Sequence, residues 1–431
     1  MSVIVLLLAG SLLLLLGFQV ASNEIFLNWF RRYELPRRGN DELPKAAIVL
    51  SLRGADESLH QCLDRLAQQD YPNYEIHVVL DHTTDPAAEI VAQWRQRHPA
   101  QPVVVHVLHD ISPRSYLKAS AVRQCIQAFS PEIGAALIVD ADAVVYRQWM
   151  RDMISPLVGG DAGLVTGNRW YDPTDPSWGS RVRFIFNAWC VPTMYFMRAT
   201  WGGCLACRRD VFEQASFVER MWDTSSEDSA LQDLTRRQGL RLELHPDAMI
   251  LQRDGIALTP CFRFMFRQLI WTRLYHPHYP VIAAGTLLGF GVAVAAVLLG
   301  LFRGAQGSFA EAAALIGTVV GLIVVNVVWM DRLHRVIAER IERVQCITVP
   351  RMRWTSRLGL LVAVPFAFVA YVWAVLQATL ARRVHWRGIT YRIHPPYGIE
   401  MEGYRPLLES QTLARPIPLK ATQEPPVESP A

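Results

Sequence analysis

The sequence predicts an α/β domain, built on a mostly parallel sheet with helices on both faces. This domain lies between one N-terminal and two to three C-terminal helices of membrane-spanning length. Three observations carry that reading. Short apolar runs alternate with amphipathic stretches from Lys45 to Asp142, the signature of βαβ units. Long uncharged stretches occur at both ends of the chain. The 431 residues are 51% hydrophobic, with mean hydropathy +0.15, more apolar sequence than a soluble core consumes.

In chain order, Val3 to Val20 is apolar apart from Ser11 and Gln19. It lacks the basic lead and small-x-small exit of a cleaved signal, so 1–24 reads as an uncleaved anchor. A basic juxtamembrane linker, 25–44, carries Arg31, Arg32, Arg37 and Arg38, and such charges stay on the cytoplasmic side. The domain that follows, 45–262, is therefore expected in the cytoplasm of a bacterial-type inner or plasma membrane. Its strands are expected at Ala46 to Leu50, Ile76 to Leu80, Val103 to Leu108 and Ala135 to Val139. Between them, Leu59, Cys62, Leu63 and Leu66, then Ile90, Val91 and Trp94, then Leu117, Cys125, Ile126 and Phe129 mark the inward faces of three helices.

Beyond the domain, 263–279 reads as an interfacial amphipathic helix, in which Phe264, Met265 and Phe266, with Phe262 just before them, lie next to Arg263, Arg267 and Arg273. Segments 280–302 and 311–330 read as transmembrane helices, 331–357 as a basic cytoplasmic loop, and 358–380 as a transmembrane or re-entrant helix interrupted by Pro365. A crossing by every segment would put Arg382, Arg383, Arg387 and Arg392 outside, against the positive-inside rule. The tail, 381–431, turns Pro-rich and polar past Tyr404 and is expected to be disordered towards its end.

The net charge of +4 is small and its arginines cluster beside the apolar segments, which suits anionic headgroups and calls for no nucleic acid. The seven cysteines are scattered, without a secreted framework. Cys204 and Cys207 have redox-motif spacing, but no second pair completes a zinc site, so packing is the expected role.

Ligands of parallel sheets bind beyond the strands' carboxyl ends. That rim collects Arg53, Asp81, Asp140 and Asp142. Two carboxylates about 5 Å apart repel by roughly 3 kcal/mol at an effective dielectric of about 20, and a hard cation between them relieves this. Asp140-Ala141-Asp142 at the end of a buried strand therefore suits Mg²⁺ or Mn²⁺. Farther on, Glu227-Asp228 opens a helix after Thr224-Ser225-Ser226. These acids read either as first-turn partners of the helix dipole or as a proton acceptor for an attacking hydroxyl. No Gly-x-Gly-x-x-Gly follows the first strand and no Walker motif occurs, so a dinucleotide oxidoreductase or P-loop NTPase is disfavoured.

In this order, Val79-Leu80-Asp81-His82-Thr83-Thr84-Asp85, Asp140-Ala141-Asp142, Trp201-Gly202-Gly203 with Arg208-Arg209-Asp210-Val211-Phe212, and Glu227-Asp228 resemble the motifs of family-two glycosyltransferases of GT-A fold. Most similar is the membrane-bound ceramide glucosyltransferase group. The resemblance covers roughly Lys45 to Tyr275. It implies that Asp81 contacts the base or ribose of a nucleotide-sugar donor, that Asp140 and Asp142 hold Mg²⁺ or Mn²⁺ on its diphosphate, and that Asp228, beside Glu227, is the catalytic base. Lys118 and Arg53 are further candidates for the nucleotide, although solubilising surface charge is the favoured reading of each.

One departure stands out. The family carries Gln/Arg-x-x-Arg-Trp near the membrane, whereas this chain has Arg267-Gln268-Leu269-Ile270-Trp271-Thr272-Arg273. Arg267 and Trp271 are the matching donor-site candidates, and Arg273 is expected to reach back in place of the arginine that Ile270 replaces. The expected activity is an inverting, metal-dependent transfer of a hexose, glucose first, from a uridine diphosphate sugar to a lipid hydroxyl such as that of ceramide or diacylglycerol. The alternatives are a processive polysaccharide synthase and a catalytically inert glycan-binding membrane protein.

Overall fold

The computed structural model describes residues 2–172, 175–394 and 398–408. From the N-terminus the chain forms α1 (Val3–Arg32), β1 (Ala46–Leu52), α2 (Leu59–Ala67), β2 (Tyr74–Leu80), α3 (Pro86–Arg97), β3 (Val103–Val107), α4 (Leu117–Gln127), β4 (Ala135–Val139) and α5 (Trp149–Ile154). There follow β5 (Ala162–Tyr171), α6 (Trp178–Met197), β6 (Cys204–Arg208), α7 (Arg209–Phe212), α8 (Ser216–Trp222), α9 (Glu227–Arg237) and β7 (Arg241–Gln252). The chain continues with α10 (Leu258–Tyr275), α11 (Tyr279–Ala305), α12 (Phe309–Gln345), α13 (Trp354–Leu380), β8 (Arg383–Trp386), β9 (Ile389–His394) and β10 (Gly398–Met401). The chain divides into two compact units, one of Met1–Glu34, Trp170–Met197 and Leu251–Leu380, the other of Leu35–Arg169, Arg198–Ile250 and Ala381–Ala431.

The second unit is built on a seven-stranded sheet of order β3-β2-β1-β4-β6-β5-β7. Strands β1 to β4 run parallel, and β6 enters antiparallel between β4 and β5, so the sheet is mixed but mostly parallel. The apolar runs explain the parallel half: Ile48, Val49 and Leu50, and Leu137, Ile138 and Val139, are buried to within 1%. Each such side chain contributes about 1.5–3 kcal/mol. Register then sets the rim. Leu52 pairs with Leu80, Leu50 with Val139 and Val139 with Cys204, so Arg53, Asp81, Asp140 and the Gly202–Gly203 turn emerge at one edge.

The tail supplies a finding the sequence reading did not contain. β8, β9 and β10 form an antiparallel three-stranded sheet whose Met401 N–H donates to the Pro113 carbonyl at 2.7 Å. Alternation along β9 explains it: Ile389, Tyr391 and Ile393 are buried, the inward period of a strand. The disorder expected at the end of the tail falls on 409–431, outside the described residues.

In the other unit, α1, α11, α12 and α13 are long and apolar enough to cross a membrane. Helix α1 runs on through Arg32, so the first part of the expected linker is helical. Val5 and Leu12 of α1 pack with Ala296 of α11 and Leu315 of α12. Helix α10 begins at Leu258 rather than 263 and buries Cys261, Met265, Leu269, Ile270 and Leu274, one helical stripe.

Candidate active site

Two distant segments meet because β-type pairing outside the main sheet joins them. Ser115 bridges Thr224, and the Tyr116 N–H donates to the Thr224 carbonyl at 2.9 Å. This sets the first turn of α4, with Lys118, beside the first turn of α9, with Glu227 and Asp228.

Lys118 is where the sequence reading needs correcting. It is no surface lysine: its side chain is only 15% exposed and is ringed by acceptors. Nζ donates to Asp140 Oδ1 at 2.7 Å and to the Gly202 carbonyl at 2.9 Å, and it lies 2.8 Å from Glu227 Oε1. Burial pulls its pKa down, but Asp140 and Glu227 outweigh this and hold the ammonium charged above its ordinary range. Asp140 behaves reciprocally. Burial pushes its carboxyl up, yet Lys118 and Arg169 bring it below the usual value.

Arg169, which the sequence reading missed, closes the other side. Nη2 donates to Asp140 Oδ2 at 3.3 Å, Nη1 lies 3.9 Å from Asp142 Oδ2, and its guanidinium stacks over the Trp201 ring at 4.2 Å. Both glycines of the Trp201-Gly202-Gly203 turn are required by close approach. A side chain at Gly202 would strike the Glu227 carboxylate, and one at Gly203 would strike Asp140 and the Trp201 ring.

Asp228 sits on the same edge. Its Oδ1 accepts from the Ser226 hydroxyl and from the Ser229 N–H at 2.7 Å. Both bonds fall on Oδ1, which leaves the other oxygen to take a proton. Burial first, then the neighbouring Glu227 charge, raises the Asp228 carboxyl to about 6, a value suited to proton transfer near neutrality.

Asp81 and Arg53 form a second group on the rim. Arg53, like Lys118, proves buried rather than solubilising, at 4% exposure, because its Nη1 donates to Asp81 Oδ2. Burial raises the Asp81 carboxyl to about 6 although Arg53 opposes the shift. Asp81 Oδ1 is buried with no hydrogen-bond partner among the described residues, an open acceptor for a ligand N–H or O–H. The neighbouring Asp85 is spent on structure, capping α3 through the Ala87 N–H and accepting from the Gly54 N–H.

Asp140 and Asp142 suit a hard divalent ion by donor chemistry. They offer carboxylate oxygens only, and Lys118 and Arg169 mark this point as one that demands positive charge. Two carboxylates leave most positions to water and diphosphate oxygens, the habit of Mg²⁺ and Mn²⁺. Among the described residues, three potential ligand atoms converge only at His77, His106 and Cys125. There His77 Nδ1 and His106 Nε2 already bond each other at 3.0 Å and Glu75 takes the other His77 nitrogen, so the group is satisfied as it stands.

Arg267, Trp271 and Arg273 lie on α10, in the other unit. Ile270 is fully buried. The Arg273 guanidinium donates through Nη1 to the Ala378 carbonyl at 2.7 Å, near the end of α13.

Comparison with known proteins adds the following. The sequence pattern described as glycosyl transferase family 21 matches residues 12–398. The glycosyltransferase AglE of Haloferax volcanii is 27% identical over 128 residues, 29% of this chain and 40% of that relative's length. Among solved structures, the mannosyltransferase PcManGT from Pyrobaculum calidifontis, in complex with GDP-Man and Mn²⁺, is 15% identical with a TM-score of 0.47. That likeness covers 86% of this chain and 98% of the other. Glucosyl-3-phosphoglycerate synthase from Mycobacterium tuberculosis, in complex with Mn²⁺ and UDP-glucose, is 17% identical with a TM-score of 0.35, covering 55% of this chain and 84% of the other.

Proposed function

The chain belongs to glycosyl transferase family 21, and from that premise we propose that it is an inverting glycosyltransferase carrying a hexose, glucose first, from a uridine diphosphate sugar to a lipid hydroxyl. The observation that carries the proposal is the single ion-paired cluster of Lys118, Asp140, Glu227 and Arg169, with Asp142 and Asp228 beside it. It joins a cation site for a diphosphate to a carboxylate with its pKa near 6.

In this reading Asp81 offers its open oxygen to the nucleoside. Asp140 and Asp142 hold Mg²⁺ or Mn²⁺, which when bound supplies positive charge to the departing diphosphate. Asp228 takes the proton of the lipid hydroxyl as its oxygen bonds to the anomeric carbon, and the diphosphate leaves with the electron pair of the broken bond. Lys118 keeps Asp140 ionised and holds Glu227 close. The test is to incubate purified protein with several nucleotide sugars and a total lipid extract and to weigh the products. A lipid gaining one hexose supports the proposal. A polymer would make the protein a processive synthase, and no product with any donor would make it an inert binder.

The same unit bears on membrane topology. Strands β8–β10 and Arg198–Ile250 share one compact body, so both lie on one side of a membrane and an even number of crossings separates them. Three candidate spans lie between: α11, α12 and α13. We propose that α11 and α12 cross and α13 does not. The apolar window of α13 is 44% buried in protein, against 11% and 22% for the other two. Its rings also pack on neighbours within its unit, Phe366 on Trp178, Tyr371 on Phe186 and Trp373 on Phe262. The arginines after α1, after α12 and after α13 then share the cytoplasmic side. An impermeant maleimide applied to intact cells should spare both Cys346 and an Arg382→Cys variant; labelling of Arg382→Cys alone would mean that α13 crosses.

A further inference from the structure

We propose that Arg387, at the tip of the C-terminal hairpin, is the arginine that grips the diphosphate of the donor; this rests on the reading of the rim as a nucleotide-sugar site. The family motif places an arginine where this chain has Ile270, and Ile270 is buried in a helical stripe. A diphosphate site without an arginine fork would be unusual for its chemistry, since guanidinium matches phosphate oxygens in pairs.

The C-terminal sheet brings such a fork to the rim. Strands β8 and β9 are joined by Arg387 and Gly388 alone, with φ of 41° and 80°, the two-residue turn with both residues left-handed. Glycine takes this conformation freely, whereas arginine does so at a cost, and strain of this kind gathers at functional positions. The tip is fixed from both sides. Arg53 Nε donates to the Arg387 carbonyl at 3.0 Å and Arg53 Nη2 to the Arg405 carbonyl at 2.9 Å. Tyr404 donates to the Asp81 carbonyl at 3.0 Å. The hairpin tip and the segment after β10 thus rest on the two residues that follow β1 and β2.

The guanidinium itself is held by an exchangeable partner. Arg387 Nη2 donates to both oxygens of Asp56, at 2.6 and 2.8 Å, with the two side chains 32% and 29% exposed, and Nη1 donates to the Arg53 carbonyl. Asp142 is among the charges that favour the Arg387 cation, and Arg387 is among those that lower Asp140. The fork therefore lies within electrostatic reach of both carboxylates of the cation site. A diphosphate arriving there presents the same bidentate geometry as Asp56 with more charge, and takes the guanidinium over.

The test is calorimetric titration of the full-length protein in detergent with Mn²⁺, using UDP, GDP and the two nucleosides. For the nucleotide that binds, Arg387→Ala should weaken the diphosphate at least tenfold and the nucleoside less than twofold, and Arg387→Lys should recover part of the loss. Arg383→Ala, on the same hairpin and paired with Glu402 at the surface, should change neither. Equal losses for diphosphate and nucleoside would make Arg387 a structural latch and overturn the proposal, as would an unchanged diphosphate affinity. If Arg387→Ala does not fold, the charge-preserving Arg387→Lys carries the same comparison. Wild-type protein that binds neither diphosphate overturns the donor-site reading instead.

Discussion

Replacing Lys118 with methionine tests whether one buried ammonium holds the acidic cluster together. The two side chains are similar in length, so the loss is mainly of charge. Nζ stands 2.7 Å from Asp140 and 2.8 Å from Glu227. At an effective dielectric of about 20, each contact gives roughly 6 kcal/mol of Coulomb attraction before solvation is counted. Desolvating the ions cancels much of that, and removing one partner of a buried pair costs about 3–5 kcal/mol in measured cases. The Asp140 side chain is 29% exposed, so water recovers part of the loss. The expected destabilisation is about 2–4 kcal/mol, or roughly 5–15 °C in the melting temperature of a unit of this size. Tryptophan fluorescence melts of the full-length protein would read it. Mn²⁺ should restore more stability to Lys118→Met than it adds to wild type, because Asp140 has lost its competing cation. Equal melting temperatures, together with an unchanged response to Mn²⁺, would refute the reasoning.

Asp228, raised to about 6 by burial and by Glu227, must be ionised to accept a proton. With saturating donor, kcat should fall about tenfold per unit below about pH 6, and Asp228→Asn should lower kcat by about 10²- to 10⁴-fold while UDP still binds. Asp142 is 46% exposed and 3.9 Å from Arg169, so Asp142→Asn should change stability by less than about 0.5 kcal/mol. In the same variant, the gain in UDP affinity that Mn²⁺ confers on wild type should be lost, which titration with and without the metal would read.

Legibility in this chain followed the range of the interactions. Strands β1 and β4 carry continuous apolar runs, Ala46 to Leu50 and Ala135 to Val139, because a parallel strand is buried on both faces, and such runs announce themselves locally. β5 and β7 do not. Gly167 of β5 lies so close to Ala248 of β7 that an added side chain would overlap its carbonyl, and glycine within a strand hides the pattern from a sequence reading. Asp140, Asp142 and Asp228 were legible because their motifs are compact. Lys118 was not. A lysine in an amphipathic helix looks solubilising unless one knows that Ser115 pairs with Thr224, more than a hundred residues away. Arg53 looks solubilising for the same reason, since part of what buries it comes from carbonyls 334 and 352 residues further along.

The tail carries the strongest case for a site assembled from distant parts. By composition only its stretch past Tyr404 reads as disordered, and its arginines stand against a crossing by every apolar segment. Its sheet joins the body that holds the rim, and that one fact bears on both problems. In the proposed topology the tail shares a side with the domain and α13 does not cross, which removes the conflict over its arginines. It also brings a guanidinium beside Asp56 at the edge where Asp81 and Asp140 emerge. On this proposal Arg387 does for the diphosphate what the family's arginine does at the position of Ile270, and loss of diphosphate affinity in Arg387→Ala is the measurement that tests it.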